Sequence, residues 1–264
     1  MLRWKIVDVT FFVYLVLRRQ ANIIIGTLYF SLEKYDEALK VLTHALELNP
    51  MEPTAHFTLG TTYFNLLKYE DAIKHFERAE DMNPTDFEVV VNLGLSHDRL
   101  NNFEKAESYY RRAFDMDPKS DELCLKLANI CLKQNKVEES LKYYDKVVEI
   151  NPKSLIALSN KGSTYIRQLT FFLIAKANWF FVDALQQSGK LDEARKLFER
   201  ALEIDSNFVT AHFNLAIIAR LEGRLDDAIK HATDASKINV ELISLVTELK
   251  KEKESGAKSA APSE

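Results

Sequence analysis

Residues 53–86 read PTAHFTLGTTYFNLLKYEDAIKHFERAEDMNPTD. One apolar helical pattern runs through Leu59, Gly60 and Tyr63, a second runs through Ala72, Phe76 and Ala79, and Asn83-Pro84 closes the block, which therefore reads as a helix-turn-helix unit. The same landmarks recur on both sides of it. Pro50, Pro84, Pro118 and Pro152 stand 34 residues apart, each directly after Asn49, Asn83, Asp117 or Asn151. The interval also selects Gly26, Gly60, Gly94, Ala128 and Gly162, each followed three positions later by Tyr29, Tyr63, His97, Cys131 or Tyr165. In the second helices, Ala38, Ala72, Ala106 and Ser140 precede Leu42, Phe76, Tyr110 and Tyr144, and then come Ala45, Ala79, Ala113 and Val147. A fixed period of this length marks an architecture in which each unit buries its apolar face only against its neighbours.

A glycine or alanine lets two helices approach closely, and the aromatic fills the space beside it. Small residue, aromatic, alanine, aromatic, alanine and proline over 34 residues resembles the signature of the tetratricopeptide repeat family, and the resemblance covers most of residues 19–240. It implies an all-α fold, an α-solenoid in which antiparallel helix pairs stack into a right-handed superhelix. It also implies a protein that holds protein or peptide segments, usually on the surface formed by the first helices.

Composition agrees with a helical array. Seven glycines and six prolines in 264 residues leave little for loops or strands, and a net charge of −4 gives no electrostatic reason to expect nucleic acid or an anionic membrane surface. Cys124 and Cys131 lie seven residues apart on one predicted helix, about 10 Å along its axis, too far for a disulfide. They read as small core residues in a reducing compartment, which places the protein in the cytoplasm. No His or Cys cluster has metal spacing, no glycine-rich phosphate loop is present and none of the six histidines sits in a catalytic motif. The expectation is no enzyme, no cofactor and no metal.

Residues 1–18 do not fit the repeat. They read as a packed helix, as an anchor, or as a misplaced start in the gene model; the apolar stretch from Val9 to Leu17 is only nine residues, against the ~20 that spanning needs. Units follow at 19–52, 53–86, 87–120 and 121–154, with acids opening the second helices and with Thr85, Ser120 and Ser154 as expected caps for the first helices. In the fifth unit Ala194 lies 54 residues after Ser140, 20 more than the interval of 34. The surplus is 169–188, LTFFLIAKANWFFVDALQQS, and both a specialised helical element and a retained intron account for it. A sixth unit ends near residue 240, residues 241–250 read as a capping helix, and the tail 251–264 is expected to be disordered.

Family members that hold the acidic carboxy-terminal peptides of chaperones use a lysine, with an asparagine four residues later, in a first helix. The equivalent pairs here, such as Phe57 and Thr61, Val91 and Leu95, or Leu125 and Asn129, lack the lysine, which argues against that partner. What remains is an apolar surface of Phe57, Val91, Leu95, Leu125 and Phe213, with Thr61 and Asn129 beside it, suited to an apolar or extended segment. Asn92, Asn160 and Asn214 occupy equivalent places two residues before the small position, and their amides could hold a peptide main chain. This resembles the asparagine ladder of O-linked N-acetylglucosamine transferases, although Ile24, Thr58 and Lys126 interrupt the row. Three readings follow: a non-catalytic adaptor or scaffold, the substrate-selecting portion of such a transferase with catalysis expected from another chain, and a membrane-associated receptor resting on residues 1–18.

Overall fold

The computed structural model describes residues 2–175 and 189–259. The chain divides into two compact halves, residues 1–135 and 136–264. In the N-terminal half lie α1 (Leu2–Ser31), α2 (Tyr35–Leu48), α3 (Pro53–Asn65), α4 (Tyr69–Met82), α5 (Phe87–Arg99), α6 (Phe103–Met116) and α7 (Asp121–Lys133). The C-terminal half holds α8 (Val137–Ile150), α9 (Leu155–Ala175), α10 (Lys190–Ile204), α11 (Val209–Leu221), α12 (Leu225–Ile238), a 3₁₀ turn (Val240–Leu242) and α13 (Ile243–Ser259). No strand occurs among the described residues. Successive helices pair as α1–α2, α3–α4 and α5–α6 in one half and as α9–α10 and α11–α12 in the other, and within each half every pair packs on the next.

The turns inside the pairs share one device. Glu33, Leu67, Asn101 and Asn135 all adopt a left-handed backbone, with φ between 58° and 60°, as do Gly189 at 67° and Gly223 at 74°. After Leu67, for example, the Lys68 amide donates to the Tyr63 carbonyl while the Leu67 amide donates to Phe64, both at 2.9 Å. This is a Schellman turn, which satisfies the last carbonyls of α3 while reversing the chain. The second helices start directly out of these turns without side-chain caps, and acids such as Glu70 and Asp71 in their first turn complement the helix dipole instead.

Turns between pairs use the Asn or Asp that ends each second helix. Asn49, Asp117, Asn151, Asp205 and Asn239 each accept, through Oδ1, the backbone N–H two residues on. Ser120 and Ser154 then cap α7 and α9, accepting from the amides of Leu123 and Ala157. Thr85 does not cap α5. Asp86 takes that place, accepting from the amides of Glu88 and Val89, and the Thr85 hydroxyl donates to Asn83; a carboxylate one residue nearer the helix wins over the hydroxyl.

Packing inside a pair rests on the contact of glycine with a bulky side chain. A Cβ on Gly60 would lie 2.6 Å from the Phe76 ring, one on Gly94 2.8 Å from Tyr110, and one on Gly26 2.5 Å from Leu42. Gly162 meets Phe198 in the same way at 2.7 Å, so the 20 surplus residues do not alter how the pair closes. Gly189 stands 54 residues after Asn135 and takes over its left-handed turn position, where the surplus ends. In the last pair the volumes are redistributed. Ala216 and Ala232, both buried in one cluster, replace the glycine and the aromatic.

Three elements run past the boundaries read from the sequence. α1 is one continuous helix from Leu2, so residues 2–18 prolong the first repeat helix rather than forming a separate one, and no proline interrupts the chain before Pro50. α9 has 21 residues where α3, α5, α7 and α11 have 13, and its last turns carry residues 169–175 of the surplus segment; residues 176–188 lie outside the described residues. α13 continues to Ser259 instead of ending at Lys250. Arg220 reaches both Glu248 and Glu252 at 2.8 Å, and Lys253 pairs with Asp226, so Glu248, Glu252 and Lys253 serve as contacts to α11 and α12. Residues 260–264 of the expected tail lie outside the described residues.

Candidate functional surface

In the N-terminal half the candidate residues fall on α3, α5 and α7, and α3 touches α5. Along α5 and α7, Val90, Leu93, Leu123 and Leu127 are fully buried, whereas Val91, Leu95 and Leu125 keep part of their side chains open. Alternation of that kind follows from a helix wedged between neighbours on one side only. Phe57 behaves differently. Its ring packs against Phe76 at 5.9 Å, within the α3–α4 cluster, and its remaining surface lines a pocket of about 290 Å³ with Pro53, Thr54, Asn83, Asp86 and Glu88. Thr61 turns its hydroxyl back onto the Phe57 carbonyl at 2.8 Å, and Asn129 is exposed.

The three asparagines are all half-buried. Asn92 donates from Nδ2 to the Glu88 carbonyl and Asn214 to the Thr210 carbonyl, both at 2.8 Å. One donor of each of these two amides is thus spent on its own helix. At the equivalent place in α3, Thr58 is buried and bonded to the Thr54 carbonyl; in α7, Lys126 pairs with Glu122 at 3.0 Å. In the C-terminal half, α9 touches α11, which brings the helix of Asn160 beside that of Phe213 and Asn214. Phe213 is half-buried next to the buried Leu215.

Charge on the first helices is largely neutralised from within. Lys133 pairs with Asp98 and Lys161 with Asp145, as Lys126 does with Glu122. Paired lysines make a weak attractant for an acidic peptide. Four of the six histidines, which fit no motif in the sequence, are brought together in two pairs, His56 with His75 and His212 with His231. The signal that could have found them is their common spacing of 19 residues.

Family profiles described as TPR repeat and tetratricopeptide repeat match residues 26–66, 53–86, 99–160 and 181–237, more than half of the chain. The chain belongs to the tetratricopeptide repeat family. No curated protein matches the sequence as a relative. Among solved structures, this tetratricopeptide repeat chain is similar to YrrB, described as a TPR protein with an unusual peptide-binding site, at 21% identity and a TM-score of 0.58 over 72% of this chain and 88% of that one. It is similar to PilF of Pseudomonas aeruginosa at 15% identity and a TM-score of 0.62, covering 89% and 99% of the two chains. Yeast Tom70 matches at 20% identity and a TM-score of 0.59 over 90% of this chain, which spans 48% of Tom70. At these identities the likeness is one of fold. Among the described residues no helix is long and apolar enough to cross a membrane.

Proposed function

We propose that this chain is a non-catalytic interaction scaffold of the cytoplasm that takes an extended, apolar segment of a partner across the first helices of its repeats. The observation that carries the reading is that on α5 and α7 Val91, Leu95 and Leu125 remain partly open while Val90, Leu93, Leu123 and Leu127 on the same helices are fully buried. Apolar side chains left open at equivalent positions of successive helices offer a row of contacts, and the Oδ1 of Asn92 beside them can accept from a peptide N–H. The unusual peptide-binding site of YrrB, which shares this fold, is in keeping with it. The buried thiols of Cys124 and Cys131 fit a reducing compartment. The transferase reading needs an unbroken amide row, which Thr58 and Lys126 interrupt.

Selection of binding peptides from a random library, followed by calorimetry on the winners, tests the proposal. Apolar, extended sequences are expected, and Val91→Asp with Leu95→Asp should weaken them at least tenfold without a matching loss of thermal stability. Asn92→Ala should cost about 1 kcal/mol of affinity for the lost bond. Selected peptides that are acidic, or affinities indifferent to the double aspartate variant, would move the site elsewhere.

A further inference from the structure

His56 and His75 face each other through their Nδ1 atoms at 3.1 Å. Nε2 of His56 lies 3.0 Å from the Pro50 carbonyl, which can only accept, so the neutral His56 ring carries its proton on Nε2 and presents a lone pair at Nδ1. His75 must then donate from Nδ1. The arrangement recurs 156 residues later, with His212 Nδ1 at 3.2 Å from His231 Nδ1 and His212 Nε2 at 3.0 Å from the Ser206 carbonyl. Ring nitrogens bound to zinc at 2.0–2.1 Å stand about 3.3 Å apart in a tetrahedral site and about 2.9 Å apart at a right angle. Both pairs fall between those values. Anchoring of the outer N–H on a backbone carbonyl is also what orients a metal-binding imidazole.

We propose that each pair is a two-nitrogen site for a borderline divalent transition metal such as Zn²⁺ or Ni²⁺. The metal replaces the shared proton between the two Nδ1 atoms, and that proton moves to Nε2 of His75 or His231. Both rings stay neutral, two waters leave the hydrated ion, and the remaining positions keep water or take a partner's ligand. At the first site there is room for those waters, since His56 and His75 line an open pocket of about 450 Å³ with Lys74, Glu77, Arg78 and Asp81. Tyr63 stacks on His75 at 5.4 Å and fixes its plane.

Burial, reinforced by His56 and Lys74 and opposed by Asp71, holds His75 down at about 4. His231 is lowered likewise by burial, with His212 and Lys230 adding to the effect and Asp234 and Asp227 opposing it. Copper's higher place in the affinity order predicts that Cu²⁺ would displace either metal.

Calorimetric titration of the full chain with Zn²⁺ after chelator treatment is the test. Two equivalents are expected for the wild type and for the control His44→Gln, one for His75→Gln, and none for His75→Gln with His231→Gln. Circular dichroism without metal checks that the variants fold. Nitrogen NMR of the wild-type imidazoles needs no variant, and zinc should move the His75 proton from Nδ1 to Nε2. Absence of zinc binding, binding whose stoichiometry ignores both substitutions, or a His75 tautomer unmoved by saturating zinc would overturn the assignment.

Discussion

The pair α3–α4 and the pair α9–α10 close on the same contact, yet Gly60 and Phe76 are 16 residues apart while Gly162 and Phe198 are 36 apart. Loop closure sets the scale of what the extra length can cost: going from 16 to 36 residues in a freely flexible chain is worth only about 0.7 kcal/mol. A buried phenylalanine in contact with glycine contributes several times more. Side-chain complementarity therefore sets the pair, and the connection follows.

Removing the aromatic should give the largest effect and treat both pairs alike. Phe76→Ala and Phe198→Ala are each expected to cost about 3–5 kcal/mol in urea unfolding, because both rings are fully buried. A cost under about 1 kcal/mol for Phe198→Ala alone would mean that the fifth pair is held by something else.

Next in size is the other side of the contact. Gly60→Ala and Gly162→Ala put a Cβ at 2.6 and 2.7 Å from the rings, so each should lose about 1–3 kcal/mol although alanine favours a helix. Combining Gly60→Ala with Phe76→Ala should be milder than the sum of the two. That double variant imitates Ala216 and Ala232, and additive costs in a mutant cycle would disprove the volume exchange.

The turns offer a smaller test with opposite signs. Leu67 occupies a left-handed backbone at φ 60° and is exposed, so Leu67→Gly should raise stability by up to about 1 kcal/mol, less what glycine adds to the freedom of the unfolded chain. Gly189→Ala, at φ 67° with open space around it, should lower stability by about 1 kcal/mol. Equal responses at the two sites would show that the turn after the surplus segment is not equivalent to its counterparts.

The smallest effect is expected from deleting residues 169–188, which joins Gln168 to Gly189 and restores the spacing of 16 between Gly162 and Phe198. The gain should be about 0.7 kcal/mol or less. A loss above ~2 kcal/mol would show that the segment packs on the pair and would end the comparison.

The sequence carried the pairs plainly because glycine, aromatic and alanine recur at one interval and volume is written in residue type. Helix ends were less legible. Glu33, Leu67, Asn101 and Asn135 share a backbone conformation that their side chains do not announce, and α1 lacks any stop signal near residue 18. The surface was only half legible. Sequence places Thr58 and Asn92 at one repeat position, but folding buries Thr58 and leaves Asn92 half-open with one donor spent, because side-chain length decides which of them reaches past the neighbouring helix. The histidine pairs were not legible because 19 residues separate the partners and only the turn between two helices brings them together.

The small volumes of Ala216 and Ala232 have a consequence for the order in which the C-terminal half opens. With Ala232 at the place of the Phe198 ring, part of the apolar cover of that pair comes from α13, whose Leu249 is fully buried in one cluster with Ala216, Ala219, Ala228 and Ala232. In a linear array, opening proceeds from the end where the coupling between neighbours is weakest. Amide exchange in α11 and α12 should therefore run ahead of that in α10, and Leu249→Ala should speed it further while α9 and α10 stay protected. The last helix acts as the clasp that decides where this half of the molecule begins to unzip.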